Sequence, residues 1–147
     1  MNIYAEKMLN VLNSHSEVTP SSVNPAFNSL GITPVSFGDG KAVLKMKVQP
    51  GFINGAGFLQ GGFYVILADE AIALAILSSI DEKHGTTTIS ETTEFLKGVN
   101  EGELYASAKV VRMGRRIIFA ESIVTLGSED GKVLSKTSAS YLITEFK

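Results

Sequence analysis

The chain has 147 residues, 44% hydrophobic and 19% charged, with a net charge of −2 and an isoelectric point near 5.7. That balance describes an ordinary globular protein large enough for its own core, and it leaves no basic footprint for nucleic acid or an anionic membrane. There is no cysteine, which excludes disulfides, thiolate nucleophiles and cysteine-ligated zinc.

Ile3 to Asn13 carries Ile3, Met8, Leu9, Val11 and Leu12 at rough helical spacing, which predicts a short amphipathic helix on the outside. No basic segment followed by an apolar core opens the chain, so a cytoplasmic protein is the expectation. Ser14 to Asn24 is polar and turn-rich, an expected loop. Pro25 opens an expected helical turn, capped by Asn24 and ended by Gly31. Ile32 to Phe37 and Ala42 to Val48 read as strands around Gly38-Asp39-Gly40. In the second, Lys45 and Lys47 alternate with Leu44, Met46 and Val48, one wet face and one buried. The glycine-rich loop Gly51 to Gly57 comes next, without the lysine and hydroxyl of a phosphate loop.

Gln60 to Ile80 reads QGGFYVILADEAIALAILSSI, with no proline and no glycine after Gly62. The spacing predicts one long helix, apolar nearly all round, which must be covered on most sides. Asp69 and Glu70 sit side by side in its middle. Each would cost about 2.5–3.5 kcal/mol at the centre of a membrane span, so a wrapped core helix is the better reading. Adjacent helical residues point about 100° apart, so the two acids cannot share one small pocket.

Four further runs lie beyond the helix: Thr86 to Phe95, Leu104 to Arg112, Ile117 to Leu126 and Val133 to Thr144. They are rich in β-branched residues or alternate, with short turn-like joints before the last two. Strands and helices do not alternate, so a parallel sheet is not expected. The sum is an α+β fold, about six antiparallel strands and one dominant helix. A flat sheet covers only one side of such a helix, so the sheet must curve. A second copy would cover the remaining side and the sheet edges, making a homodimer the expected state.

Asn54, then Gln60-Gly61-Gly62, then Leu67-Ala68-Asp69 resembles the hotdog-fold acyl-CoA thioesterases, in the branch of phenylacetyl-CoA and 4-hydroxybenzoyl-CoA thioesterases. Thr88, Thr93-Glu94-Phe95-Leu96-Lys97, Gly102-Glu103-Leu104, Val111-Arg112-Met113-Gly114-Arg115 and Asp130-Gly131-Lys132-Val133 continue the likeness from about Asn24 to Thr144. The resemblance implies a sheet wrapped on a helix, a homodimer, and commonly a homotetramer. It divides the chain into an N-terminal extension, 1–23, and one hotdog thioesterase-like domain, 24–147. The family's usual histidine is Gln60 here, which hydrogen-bonds but cannot transfer a proton at neutral pH.

Thioester hydrolysis needs a carboxylate that attacks the carbonyl or activates water, and the resemblance assigns that role to Asp69. The bland alternative is a carboxylate that only bonds a neighbouring strand or the second copy. Gly61 and Gly62 open the helix, where free amides favour negative charge; the resemblance makes Gly61 the oxyanion donor. It gives Asn54 and Gln60 positioning roles and has Thr88 face the acid from the partner subunit. Gly62, Arg112, Arg115 and Arg116, with Lys97, are candidates to bind coenzyme A, arginine being suited to phosphate. His15 and His84 stand in no metal spacing and near no nucleophilic serine motif, so neither a metal site nor a catalytic triad is expected. The expected function is acyl-CoA thioester hydrolysis without a cofactor, coenzyme A entering as part of the substrate. A non-catalytic acyl-CoA-binding hotdog domain and a structural dimerisation module are the alternatives.

Overall fold

The computed structural model describes residues 2–13 and 24–145. Helices α1 (Ile3–Asn13), α2 (Pro25–Leu30) and α3 (Gly61–Leu77) accompany strands β1 (Ile32–Gly38), β2 (Lys41–Lys47), β3 (His84–Phe95), β4 (Glu103–Met113), β5 (Ile117–Leu126) and β6 (Val133–Glu145). Each expected element is present, with ends displaced by a few residues. The expected loop lies outside the described residues except for Asn24. The Asn24 side chain caps α2 by accepting from the Ala26 amide at 3.2 Å, and Gly31 closes it with φ 70°.

The strands form one six-stranded antiparallel sheet in the order β1-β2-β4-β5-β6-β3. This sheet around α3 is the hotdog fold. Side-chain alternation sorts it cleanly. Leu44, Met46, Leu104, Ala106, Ile118, Val124 and Tyr141 point inward and are buried, whereas Lys45, Lys109 and Phe119 point outward. β3 follows α3 in the chain but pairs with β6 at the far edge, leaving its other side unpaired.

α3 ends at Leu77, three residues before the expected limit. The Ser78 and Ser79 hydroxyls both bond the Ala75 carbonyl, at 2.7 and 3.5 Å, and Ser78 Oγ also accepts from the Gly40 amide. Serine hydroxyls that compete for last-turn carbonyls end a helix readily. α1 covers this end: the Asn2 amide donates to the Leu77 carbonyl at 3.1 Å, and Ala5 and Met8 are fully buried. Among the described residues no helix is long and apolar enough to cross a membrane.

Most of α3 is wrapped: Leu67, Ala68, Ala71 and Ile72 are 0% exposed. One stripe is not. Gly62, Ile66, Asp69 and Ala73, spaced by three and four residues, remain open or half-open. The single chain therefore leaves part of an apolar helix wet. Ile72→Ala should lower unfolding free energy by about 2–5 kcal/mol in denaturant titration, whereas Val35→Ala, on the exposed bulge of β1, should change it by about 0.5 kcal/mol or less.

Candidate active site

Asp69 projects from the open stripe of α3 towards the edge of the sheet. Its Oδ1 accepts from Thr88 Oγ1 on β3 at 3.0 Å and, by a short contact, from the Tyr141 hydroxyl on β6. That hydroxyl also lies 3.1 Å from the Asp69 carbonyl and 3.1 Å from Oε1 of Glu91 on β3. Both hydroxyl donors fall on Oδ1, and Asp69 makes no ion pair among the described residues. A carboxylate held this way is oriented without being neutralised.

The pairing of β3 with β6 explains how Thr88 and Glu91 reach the same carboxylate. Residues three apart on a regular strand face opposite ways. Here Thr88 pairs with Tyr141, Ser90 with Ser140 and Glu91 with Ala139, so Ile89 is an extra, bulged residue. The bulge restores parity: Thr88 and Glu91 both turn inward, and Ile89 is 54% exposed. Glu91 and Tyr141 are the two members of the site that sequence reasoning missed. The resemblance implied that Thr88 would act from the partner subunit; the contact seen is within the chain.

Burial and the neighbouring Asp69 carboxylate push Glu91 up to about 8, against an ordinary value of 4.5, with the Tyr141 bond working the other way. Burial and the Asp69 and Glu91 carboxyls raise Tyr141, with the Thr88 hydroxyl working the other way. Glu70 points elsewhere, as the helix angle requires, and accepts from Asn24 Nδ2 at 3.0 Å. Burial and Asp69 raise it, and the Asn24 bond partly offsets them.

The other expected residues are dispersed. Gln60 is the N-terminal cap of α3 without a capping side-chain bond, and is exposed. Gly61 lies against the Phe95 ring, where a Cβ would sit 3.2 Å from Cε1, whereas a Cβ on Gly62 would meet nothing within 4 Å. Gly61, Leu59, Tyr64, Phe95 and Lys97 line a cavity of about 250 Å³. Asn54 spends its side-chain oxygen on its own loop, accepting from the Ala56 and Phe58 amides at 2.9 and 3.2 Å, which leaves the Nδ2 amide hydrogens as donors. Gly61 and Asp69 are separated by eight positions, about 12 Å along a helix, too far to hold opposite sides of one carbonyl group. Arg112 pairs with Phe119 on the outer face, and Arg115 and Arg116 lie in the adjoining turn, so none of the three is brought to Asp69. A cavity of about 650 Å³ also opens on the outer face beside Lys41, Lys109 and Lys136. It shares no residue with the Asp69 cluster, whose chemistry outweighs cavity size. Among the described residues no three acidic or histidine side chains are grouped to hold a metal.

The family model of the Thioesterase superfamily matches residues 56–132, more than half of the chain. The chain belongs to the thioesterase superfamily. The matched span holds Asp69, Thr88 and Glu91, with Asn54 and Tyr141 just outside. A curated relative, the 1,4-dihydroxy-2-naphthoyl-CoA hydrolase of Listeria monocytogenes, is 28% identical over 87 residues, 59% of this chain and 71% of that protein. A thioesterase family protein from Silicibacter pomeroyi shares the fold with a TM-score of 0.80 at 22% identity, covering 97% of this chain and 99% of that one. A mutant of the phenylacetic acid degradation protein PaaI of Thermus thermophilus gives 0.73 at 23% identity, covering 81% of this chain and 98% of that one.

The position of Glu91 has a consequence for stability. Between its unfolded value near 4.5 and its folded value near 8, the folded state holds a proton that the unfolded chain has released. Stability therefore falls as pH rises through that window. Thermal unfolding should show a lower Tm at pH 8 than at pH 5, and Glu91→Gln should flatten the difference, the residue of it belonging to Glu70.

Proposed function

We propose that this chain hydrolyses an acyl-CoA thioester to a free acid and coenzyme A, with Asp69 as the general base. The observation that carries this reading is a carboxylate in a greasy helix, held on one oxygen by two hydroxyls and bound in no ion pair among the described residues. Its second oxygen would take a proton from water as that water attacks the thioester carbon. The carbon–sulfur bond then breaks, and the departing thiolate takes up a proton to give the thiol. The named hydrolase activity of the Listeria relative, which acts on an acyl-CoA, supports the substrate class.

A single copy is incomplete in this reading, because Gly61 and Asp69 are about 12 Å apart. A homodimer that closes the open stripe at Gly62, Ile66, Asp69 and Ala73 would bring the Gly61 amide of one copy to the Asp69 of the other. The amides of the first helical turn have no acceptor within the helix, so Gly61 N–H can receive the oxyanion. The Asn54 amide group and Gln60 would orient the thioester from the same side. Lys97, in the Gly61 cavity and beside Lys132, is favoured over the outward-facing Arg112, Arg115 and Arg116 for the phosphates of coenzyme A.

Free-thiol release should be measured across short, aromatic and long acyl-CoAs. Asp69→Asn should lower kcat by about 10²–10⁴-fold, and Glu70→Gln by far less. Wild-type activity on none of the panel would reject the reading, as would full activity of Asp69→Asn. Gly61→Pro removes the amide hydrogen at the first helical position, where proline is tolerated, and should also be inactive. Mixed subunits of Asp69→Asn and Gly61→Pro should regain activity, since one site in each mixed dimer is intact. No recovery would place both groups in one subunit's site.

A further inference from the structure

Hydrogen bonding at Tyr141 does not close unless Glu91 carries a proton. The tyrosine is 1% exposed, so water does not balance its hydroxyl. That hydroxyl faces the Asp69 carbonyl, Asp69 Oδ1 and Glu91 Oε1, yet owns one hydrogen. Asp69 presents two acceptors to it, the carbonyl and Oδ1, against one from Glu91, so the hydrogen points to the Asp69 side. Glu91 Oε1, 3.1 Å away, then meets the lone pairs of the tyrosine oxygen. An ionised carboxylate there would set acceptor against acceptor; a carboxylic acid donates and completes the set. The chain of donors runs Glu91 to Tyr141 to Asp69; the Glu91 carboxyl is also within hydrogen-bond reach of the Asp69 carboxyl itself, and Thr88 donates to Oδ1 and lies beside the Tyr141 oxygen.

The surroundings agree. The titratable groups facing Glu91 are Asp69 from α3 and Tyr141 from β6; on its own strand, Thr88 and Thr93 are hydroxyls, the latter bonded to Thr137 at 2.8 Å. Among the described residues no lysine, arginine or histidine pairs with either carboxyl. Two carboxyls around one hydroxyl, with no cation, hold a proton between them.

We propose that Glu91 is a positioning residue of the hydrolytic site: as the neutral acid it donates to Tyr141 and thereby locks the tyrosine hydrogen onto Oδ1 of Asp69. This rests on the reading of Asp69 as the base. When Glu91 loses its proton, Tyr141 is contested by two carboxylates, and Asp69 loses the donor that aims its free oxygen. Glu91 thus sets an alkaline limit on turnover without touching the substrate, and that limit falls near pH 8.

The test is the pH profile of kcat, with phenylacetyl-CoA as probe, for wild type, Glu91→Ala, Glu91→Gln and Tyr141→Phe. In wild type kcat should fall above about pH 8. Glu91→Ala should lose about tenfold in kcat at pH 7, the worth of one hydrogen bond, with little change in KM. Glu91→Gln, whose amide donates to Tyr141 at every pH, should restore most of that loss and abolish the alkaline fall. Tyr141→Phe should lower kcat and flatten the profile, since the relay is gone. An alkaline fall retained in Glu91→Gln overturns the proposal, as does a folded Glu91→Gln no better than Glu91→Ala. Difference infrared spectroscopy of the unliganded protein gives a readout independent of turnover. A protonated carboxyl band should vanish with a midpoint near pH 8 in wild type and be missing in Glu91→Gln. Absence of that band in wild type at pH 7 overturns the proposal, even if thioesterase activity stands. Its presence with no turnover of any acyl-CoA rejects the functional reading of Asp69, and with it the positioning role.

Discussion

An acid in the middle of an apolar helix must be given hydrogen bonds where it stands, and the edge of this sheet is built around that demand. Asp69 cannot reach bulk water through the wrapped side of α3, and no cation among the described residues meets it. Two hydroxyls, from the outermost strand and its neighbour, hold it on one oxygen, while the open stripe of α3 leaves it half-exposed. No ion pair among the described residues masks the charge.

The same demand explains the division of labour between the neighbouring acids. Asp69 and Glu70 share a helix turn but face different elements, one towards β3 and β6, the other towards the start of α2. Glu91, from another strand, is the acid that shares the Asp69 environment. Burial and the neighbouring Asp69 carboxyl raise Glu91 well above the ordinary carboxylate range.

Much of this was legible in the residues. The apolar run after Gly62, the alternation of Leu104 to Val111, and the turn glycines gave the helix, strands and antiparallel class, because each follows from local periodicity. Asp69 was legible as the anomaly in its helix, and Thr88 through the family resemblance. Glu91 and Tyr141 were not. Tyr141 lies in an apolar run where an aromatic reads as core, and Glu91 lies an odd number of residues from Thr88, on the wrong face by strict alternation. Only pairing with β6 reveals the bulge. The strand order was equally hidden, since β3 crosses to the far edge rather than pairing with β4, its successor in the chain. The arginines near β5 looked apt by type, but outward registration of Arg112 with Phe119 turns them away.

The bulge at Ile89 also bears on how relatives should be compared with this chain. A homologue with a regular strand at this place would need one residue fewer between the threonine and the inward acid. Aligned column by column without a gap, its inward residue would stand opposite Ser90, which faces outward here. An acid equivalent to Glu91 would then go unnoticed in the correct place, and an unrelated surface side chain would be taken for it. Evolutionary comparison of this pocket therefore has to be made by ladder partner, with Ala139 and Tyr141 as the fixed rungs.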